Sequence, residues 1–254
     1  MHPQTPEELF ALVDDSVAAW ADIVVPIFVD SEKSEKAANG LGSAYLCGHG
    51  ERIFLVTALH VITDANKSNL QVANINGKGV DIGGLRFSVL RTHDLAVAEL
   101  EPEWLHMSGV TKIKAAPLRK DLSAWQRTGI FVAIGYPGTK NRLDMRYGKL
   151  DRYCLSITVG IQKHGSVSTS IHDAIHMSYD AKTVINSSGE KLGPQPELYG
   201  MSGGPCLELL RSTEMKSQYS LDPIGVLTEW HKKYRTIIVA PLSAYFTFLS
   251  TGDG

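Results

Sequence analysis

The amino-acid sequence predicts an all-β protein, built as a sandwich or barrel, with a helix at its N-terminus. Short runs rich in valine, isoleucine, phenylalanine and tyrosine recur along the 254 residues, separated by glycine, asparagine and aspartate. Many short strands at this density are typical of sandwiches and barrels. Helices and strands do not alternate along the sequence, so a parallel sheet is not indicated. The clearest runs are "RIFLVTALHVI", "LAVAEL", "GIFVAIGYPG", "PIGVLTEW" and "TIIVAPL".

Each end of the chain carries a helical pattern. Residues 5–20 place apolar side chains at helical spacing, namely Leu9, Phe10, Leu12, Val13, Val17 and Trp20. Thr5 and Glu8 have the spacing of a capping box, which marks a helix start. The run "LSAYFTFLS" at 242–250 predicts a short closing helix.

The strands divide into two sets of similar size. Residues 101–126 form a more polar seam that contains two prolines, and no sequence repeat relates the two sets. Two β units of about 100 residues each are the simplest division of such a chain. We therefore predict a helical extension over 1–21, a first unit over 22–118 and a second unit over 119–254.

The composition excludes several classes of protein. Hydrophobic residues make up 43% and charged residues 20% of the chain, as in ordinary globular proteins. The net charge of -2 creates no general attraction to nucleic acid or to an anionic membrane. The longest apolar runs, such as "IVVPIFV", are too short to span a bilayer. We expect neither nucleic acid nor a membrane as a partner.

The location is inferred from the N-terminus and the cysteines. The first 20 residues lack the basic start and apolar stretch of a secretory signal. The three cysteines, Cys47, Cys154 and Cys206, are widely spaced and odd in number, which fits neither a disulfide framework nor a zinc site. Unless a leader has been removed, this indicates a cytoplasmic protein in a reducing environment.

Three residues suggest chemistry when they are taken together. His60 is predicted at the end of the apolar strand in "FLVTALHVI", Asp94 opens the strand in "RTHDLAVAEL", and Ser202 lies in "GMSGGP". Each alone has an ordinary role as a structural histidine, a turn aspartate or a loop serine. Acyl transfer needs a nucleophile, a base and an acid that orients the base, which these three supply. The amides of Gly200 and Ser202 are then the candidate oxyanion hole.

The motifs "TALH", "HDLAVAEL", "GYPG" and "YGMSGGP" resemble those of the trypsin-like, chymotrypsin-fold serine proteases. The glycine-rich "GLGSAYL" before the histidine is similar to that of bacterial members, and the match runs in patches over about 22–247. The resemblance implies two six-stranded antiparallel β-barrels with the triad in the cleft between them. It also implies a standalone intracellular serine endopeptidase that forms an acyl-enzyme and uses no cofactor. Its partners would be a protein or peptide substrate and a regulatory or effector protein.

The chain departs from the secreted members of this family at two places. Val61 follows the histidine where those members carry a cysteine, so Cys47 lacks that disulfide partner. Met201 precedes the serine where their aspartate pairs with a newly freed N-terminus. The usual zymogen switch is therefore absent, and activity must be constitutive or controlled by a partner or a mobile loop.

The resemblance also assigns a specificity pocket. Pro196 and Glu197 match the pocket base, Thr228, Glu229 and Trp230 match the substrate-binding strand, and Ile237 matches a position that is often glycine. Pro196 stands where trypsins carry the aspartate that pairs with a basic substrate residue. Burying an unpaired cation there is costly, which favours a small or medium uncharged residue before the cut. Glu197 or Glu229 would reverse this preference by pairing with a base.

Two motifs also match patterns of unrelated enzymes, and those matches are weaker. "GMSGG" satisfies the nucleophile-elbow pattern of α/β-hydrolases, but that fold needs the acid and then the histidine after the serine. Asp222 and His231 follow the serine, but they lie only nine residues apart and no parallel-sheet pattern surrounds them. "HDAIH", with His172 and His176, lacks the glutamate of metalloprotease motifs, so we expect no metal. The functional alternative is a dormant or non-catalytic protease-fold module that binds peptides and needs a partner for activity.

Overall fold

The chain folds into two antiparallel β units preceded by one helix, as the computed structural model shows. The structure describes residues 6–20, 22–31, 34–68, 71–75, 78–107, 109–110, 113–117, 122–138, 141–144, 149–151, 154–162, 167–180, 197–215 and 218–245. No helix in this described part is long and apolar enough to cross a membrane.

The N-terminal helix α1 spans Pro6–Ala18 and confirms the helical pattern of the sequence. Val13 and Trp20 are buried in a hydrophobic core cluster that also contains residues of the first sheet. The Trp20 ring packs against Tyr45 with ring centroids 6.4 Å apart. Trp20 thus attaches the end of the extension to the first sheet, whereas α1 itself lies against the strand Tyr219–His231 of the second unit.

The first unit is one sheet whose main path follows the order β5-β4-β1-β2-β3-β7-β6. Short helices interrupt it, α2 at Leu59–Ala65 after β3 and a 3₁₀ turn at Arg91–His93 before β7. The strands are β1 Val24–Ser31, β2 Ser34–His49, β3 Arg52–Ala58, β4 Gln71–Ile75, β5 Lys78–Asp81, β6 Ser88–Leu90 and β7 Leu95–Glu99.

Further short elements extend this sheet or follow it. Helix α3 spans Pro102–Met107, and β8 at Ala116–Pro117 pairs in parallel with β2. β10 at Arg142–Asp144 pairs with both β2 and β11, Lys149–Asp151. β10 and β11 thus belong to the first sheet although they fall within the range predicted for the second unit, and the boundary after 118 stays a prediction.

The second unit is a closed six-stranded barrel, with strand order β12-β13-β16-β15-β14-β9. Closure leaves no exposed strand edge. In β12 the burial alternates residue by residue, as expected for a strand with one face in a core. The strands are β9 Trp125–Gly135, β12 Leu155–Ile161, β13 Ile175–Ser178, β14 Pro205–Ser212, β15 Tyr219–His231 and β16 Thr236–Pro241.

Of the two predicted six-stranded barrels, the second unit matches directly, because its six strands form a closed barrel. The first unit differs from the predicted six strands, because its sheet has ten, seven along the main path and β8, β10 and β11 beside it. At the C-terminus, residues 243–245 are helical, and the rest of the predicted closing helix lies outside the described residues. Side chains of both units share one core cluster, in which Leu46 of β2 and Ile134 of β9 are fully buried. The two units therefore share one packed hydrophobic core.

Candidate active site

His60 and Asp94 meet because they lie just beyond the paired ends of neighbouring strands, His60 at the start of α2 after β3 and Asp94 immediately before β7. Residues Ala58 of β3 and Leu95 of β7 are paired in register, so the segments beyond these two ends lie side by side. His60 Nδ1 lies 2.6 Å from Asp94 Oδ2, and the backbone N–H of His60 donates to Asp94 Oδ1 at 2.9 Å. Leu59 N–H also donates to the Asp94 carbonyl oxygen at 2.9 Å. Three contacts thus fix the histidine against the aspartate.

The charge around His60 favours its protonated form. Burial of the ring lowers the pKa of His60, but the hydrogen bond and charge of Asp94 outweigh that effect. The charges of Asp64 and Glu229 act in the same direction as Asp94, so the pKa of His60 lies above its ordinary value of 6.5. Asp94 itself has φ +52°, in the left-handed region that aspartate tolerates better than most residues.

Ser202 lies in the tight loop that leads into β14, on the same cavity as His60. The cavity has a volume of about 340 Å³, and both residues line it. Ser202 Oγ donates to the Thr228 carbonyl oxygen at 3.1 Å. The hydrogen bonds of the described residues include none between Ser202 Oγ and His60.

The backbone on both sides of Met201 has a defined orientation. The Tyr199 carbonyl oxygen accepts from Gly138 N–H at 2.8 Å, and the Met201 carbonyl oxygen accepts from Gly204 N–H at 2.9 Å. In a trans peptide the N–H points opposite to the C=O. The N–H groups of Gly200 and Ser202 therefore point away from Gly138 and Gly204, and both residues line the cavity.

Two glycines of the serine loop are required by close approaches of other backbone. Gly200 has φ +90°, and a Cβ there would lie 2.4 Å from the Gly138 nitrogen. Gly203 has φ +89°, and a Cβ there would lie 1.9 Å from the Ser43 carbonyl oxygen. L-residues with side chains rarely adopt these angles, and neither position has room for one. The glycines beside Ser202 are thus explained by packing as well as by turn geometry.

Ser43 is a buried residue of the site that sequence reasoning did not single out. Its N–H donates to the Ser202 carbonyl oxygen at 2.8 Å, and its own carbonyl oxygen accepts from Thr57 Oγ1 at 2.7 Å. Ser43 Oγ donates to the Gly200 carbonyl oxygen at 2.9 Å and accepts from Tyr136 N–H at 2.8 Å. The available signal was a serine within the apolar run "GLGSAYL", because a buried hydroxyl must find partners.

The predicted pocket residues on β15 and β16 occupy space beside the cavity. Trp230 lines the cavity and packs on Tyr179, with ring centroids 5.5 Å apart. Ile237 lies opposite Trp230 in the β15–β16 register and is 3% exposed within the second core cluster. Thr228 is buried, and its Oγ1 donates to the Ile238 carbonyl oxygen at 3.0 Å. Large side chains thus lie where the resemblance implies a pocket.

The two pocket glutamates differ in how firmly they are engaged. Glu229 Oε1 accepts from Thr169 Oγ1 at 2.9 Å, and Oε2 lies 2.6 Å from His231 Nε2. Glu197 pairs with Lys232, but both side chains are largely exposed, at 63% and 72%. Exposed pairs of this kind contribute little, so Glu197 can exchange partners more readily than Glu229. Pro196 lies outside the described residues.

The thiols of Cys47 and Cys206 are buried and reduced. Burial raises the pKa of both thiols to about 12, with the charge of Glu208 adding to the effect at Cys206. A thiol with such a pKa is not a nucleophile near neutral pH. Both thiols are also buried, whereas Ser202 lines the cavity, so Ser202 is the more accessible candidate nucleophile.

Comparison with known proteins shows the fold. No protein-family model and no curated protein matches the chain. The chain is similar to the crystal structure of the serine protease domain of the Sesbania mosaic virus polyprotein, with 14% identity, a TM-score of 0.50, and coverage of 90% of this chain and 92% of that one. A second similar structure has 14% identity, a TM-score of 0.49 and 90% coverage of both chains. That structure concerns aromatic interactions that drive the coupled folding and binding of the intrinsically disordered Sesbania mosaic virus VPg protein. The likeness to the protease domain confirms the predicted all-β, chymotrypsin-like fold.

Proposed function

We propose that the chain is a serine endopeptidase that hydrolyses peptide bonds with Ser202 as nucleophile, His60 as base and Asp94 as orienting acid. The observation that carries this proposal is the double contact of His60 with Asp94 on the cavity that Ser202 also lines. A histidine held at two points by a carboxylate beside a serine is the arrangement that acyl transfer requires.

The proton path follows from the hydrogen bonds. Asp94 Oδ2 accepts a hydrogen bond from His60 Nδ1–H, which leaves Nε2 as the acceptor for the Ser202 hydroxyl proton. Ser202 Oγ leaves the Thr228 carbonyl, bonds to the substrate carbonyl carbon and passes its proton to Nε2. The imidazolium then protonates the leaving amine as the C–N bond breaks. Water, deprotonated by His60, hydrolyses the acyl-enzyme and restores the hydroxyl.

The developing oxyanion would be stabilised by the amides of Gly200 and Ser202. Their preceding carbonyls are engaged by Gly138 and Gly204, which favours N–H groups that are oriented before substrate binds. Preorganised donors stabilise a transition state because no reorganisation is needed during the reaction. Met201 between them is 2% exposed, so its side chain leaves the cavity to the substrate.

The substrate is proposed to be a protein or peptide that adds as a strand along Thr228, Glu229 and Trp230. An uncharged small or medium residue before the cut fits best, because Trp230 and Ile237 restrict the space and Glu229 is engaged by Thr169 and His231. We place the enzyme with the standalone bacterial members in the cytoplasm, with a regulatory or effector protein as partner.

A dormant form is the second candidate. The bond from Ser202 Oγ to the Thr228 carbonyl favours it, because the hydroxyl proton is then donated to a backbone oxygen and not to the base. Binding of a partner or substrate would have to release Ser202 before acylation. This state and a non-catalytic peptide-binding module both predict that the isolated chain does not react with serine-directed reagents.

A fluorophosphonate probe with matched variants tests the proposal. The wild-type chain should be labelled at Ser202, whereas Ser202→Ala and His60→Ala should not be labelled while their thermal unfolding stays cooperative. Ser202→Ala should also lower peptide cleavage by several orders of magnitude. Labelling only after a partner protein is added supports the dormant form. Near-native cleavage by purified Ser202→Ala protein rules out Ser202 as the nucleophile.

A further inference from the structure

Two loops from the different β units meet beside Asp94. His93 ends the 3₁₀ turn immediately before Asp94, and His172 lies in the bend that precedes β13. The backbone N–H of His172 donates to the Thr92 carbonyl oxygen at 2.8 Å. The two imidazole rings pack edge to face, with centroids 5.5 Å apart. Residues 79 positions apart in the sequence are thus held in contact.

Asp173 adds a carboxylate to this histidine pair. Its backbone has φ +52°, and its Oδ2 lies 3.0 Å from His172 Nδ1. One ligand atom from each of His93, His172 and Asp173 lies within 4.8 Å of the others. In the described part of the chain, no other cluster of at least three histidine, cysteine or acidic side chains meets this condition.

The loop that carries His172 and Asp173 is anchored although these two side chains reach solvent. Ile171 is buried in the shared core, and its N–H donates to Thr169 Oγ1 at 3.2 Å. Thr169 in turn donates to Glu229 on β15 at 2.9 Å. The side chains of His172 and Asp173 are 70% and 75% exposed. A dissolved ion can therefore reach ligand groups whose backbone is already positioned.

We propose that His93, His172 and Asp173 form a binding site for a divalent transition-metal ion of the Zn²⁺ type. Zn²⁺ binds histidine nitrogen and carboxylate oxygen at about 2.0–2.2 Å in tetrahedral geometry, which places neighbouring ligand atoms roughly 3.3 Å apart. The 3.0 Å separation between His172 Nδ1 and Asp173 Oδ2 is close to this spacing, and the other ligand atoms, within 4.8 Å of one another, must approach by up to about 1.5 Å. Imidazole ligands select Zn²⁺ over Mg²⁺ or Ca²⁺, and water would complete the fourth position.

The bound ion would connect the two β units next to the catalytic aspartate candidate. Its ligands come from the segment before β7 and from the bend before β13. The expectation of no metal was based on the spacing of His172 and His176, and His176 lies in β13 outside this group. The partner of His172 is instead His93, which no sequence motif joins to it.

Titration of the purified full chain with ZnCl₂ tests the site without any activity assay. We expect one equivalent to bind by calorimetry and to raise Tm, because the ion binds the folded state. CoCl₂ should give the intense visible absorption of tetrahedral Co²⁺. His172→Ala, His93→Gln and Asp173→Asn should each weaken Zn²⁺ binding more than about tenfold, since even outer-shell losses cost roughly 10- to 100-fold. Asparagine also tolerates the φ of residue 173.

His106→Ala is the matched control, because His106 is an exposed histidine on α3 outside the cluster. It should bind Zn²⁺ as the wild-type chain does. The proposal is overturned if the wild-type chain does not bind Zn²⁺ at millimolar concentration, or if the three ligand variants bind it equally well. Loss of binding in His60→Ala with retention in His172→Ala would likewise refute it, by moving the ion to the catalytic pair. These readouts do not depend on peptidase activity, so they stand apart from the proposed function.

Discussion

Ser43 Oγ donates a hydrogen bond of 2.9 Å to the carbonyl oxygen of Gly200, and the two residues lie 157 positions apart in the sequence. The backbone N–H of Ser43 also donates to the Ser202 carbonyl oxygen at 2.8 Å. Ser43 therefore holds the serine loop on both sides of Met201 and ties it to β2 of the first unit. This is a positioning role, because Ser43 itself is buried behind the loop.

Ser43→Ala should lower kcat by roughly 10- to 100-fold with little change in KM, because the peptide between Gly200 and Met201 loses its anchor. Loss of an oxyanion-hole donor itself typically costs about 10²–10³ in kcat. The free energy of unfolding should fall by about 1–3 kcal/mol, since Tyr136 N–H and the Gly200 carbonyl lose a buried partner. Steady-state kinetics and urea unfolding measure the two effects.

Ser156→Ala is the control for that substitution, because Ser156 is an exposed serine of β12. It should change neither kcat nor stability measurably. If fully folded Ser43→Ala protein keeps the wild-type kcat, Ser43 contributes to stability alone and does not position the loop.

Activity should rise with pH as His60 loses its proton, with a midpoint above 6.5. The pKa of His60 is raised above 6.5 by Asp94 despite burial, and the protonated ring cannot accept the Ser202 proton. Activity is therefore lost as pH falls through this raised pKa. Asp94→Asn should move the midpoint to lower pH and reduce kcat by up to about 10⁴-fold. A pH profile of kcat/KM gives the midpoint directly.

Asp64→Asn is the matched comparison for Asp94→Asn. Asp64 raises the pKa of His60 through charge alone, so its substitution should lower the midpoint slightly and leave kcat near the wild-type value. If Asp94→Asn keeps most activity and Asp64→Asn or Asp81→Asn removes it, Asp94 is the wrong aspartate.

A tag added to the N-terminus should leave the intrinsic activity roughly unchanged. Met201 is buried in the second core cluster, and its N–H donates to the Leu198 carbonyl oxygen at 2.9 Å. It offers no carboxylate with which a freed amino group could pair. Kinetics of tagged and tag-cleaved protein check this directly. A strict need for cleavage before residue 22 would show that an N-terminal switch exists.

An uncharged small or medium residue should dominate before the cut in a library that varies that position. Glu229→Gln should not alter this preference, because both carboxylate oxygens of Glu229 already have partners in Thr169 and His231. Glu197→Gln tests the less firmly held glutamate, since the ion pair of Glu197 with Lys232 is exposed. Mass spectrometry of the products gives the profile. A dominant lysine or arginine signal that disappears in either variant would show that the acids determine specificity.

Local pattern accounts for most of the strands that the sequence predicts correctly. The alternation of Leu155, Ile157 and Val159 with exposed residues marks β12, because successive side chains of a strand point to opposite faces. The apolar runs that become β3 and β7 are buried along nearly their whole length. These signals depend on neighbours within a few residues, so the chain carries them before it folds.

The order of residues was enough to indicate many of the strands, although not β4, β5 or β14, and it singled out His60, Asp94 and Ser202 as a group. Folding in three dimensions was needed to establish that β10 pairs with β2, that Ser43 anchors the Gly200 carbonyl, and that His93 meets His172. The hydrogen bond from Ser202 Oγ to the Thr228 carbonyl oxygen was likewise established only by the folded structure. Each of these contacts joins positions distant in the chain, and an ångström-scale change in strand register or loop path makes or breaks it. Local composition and spacing carry no information at that precision, because hydrogen bonds lose strength steeply with distance and angle.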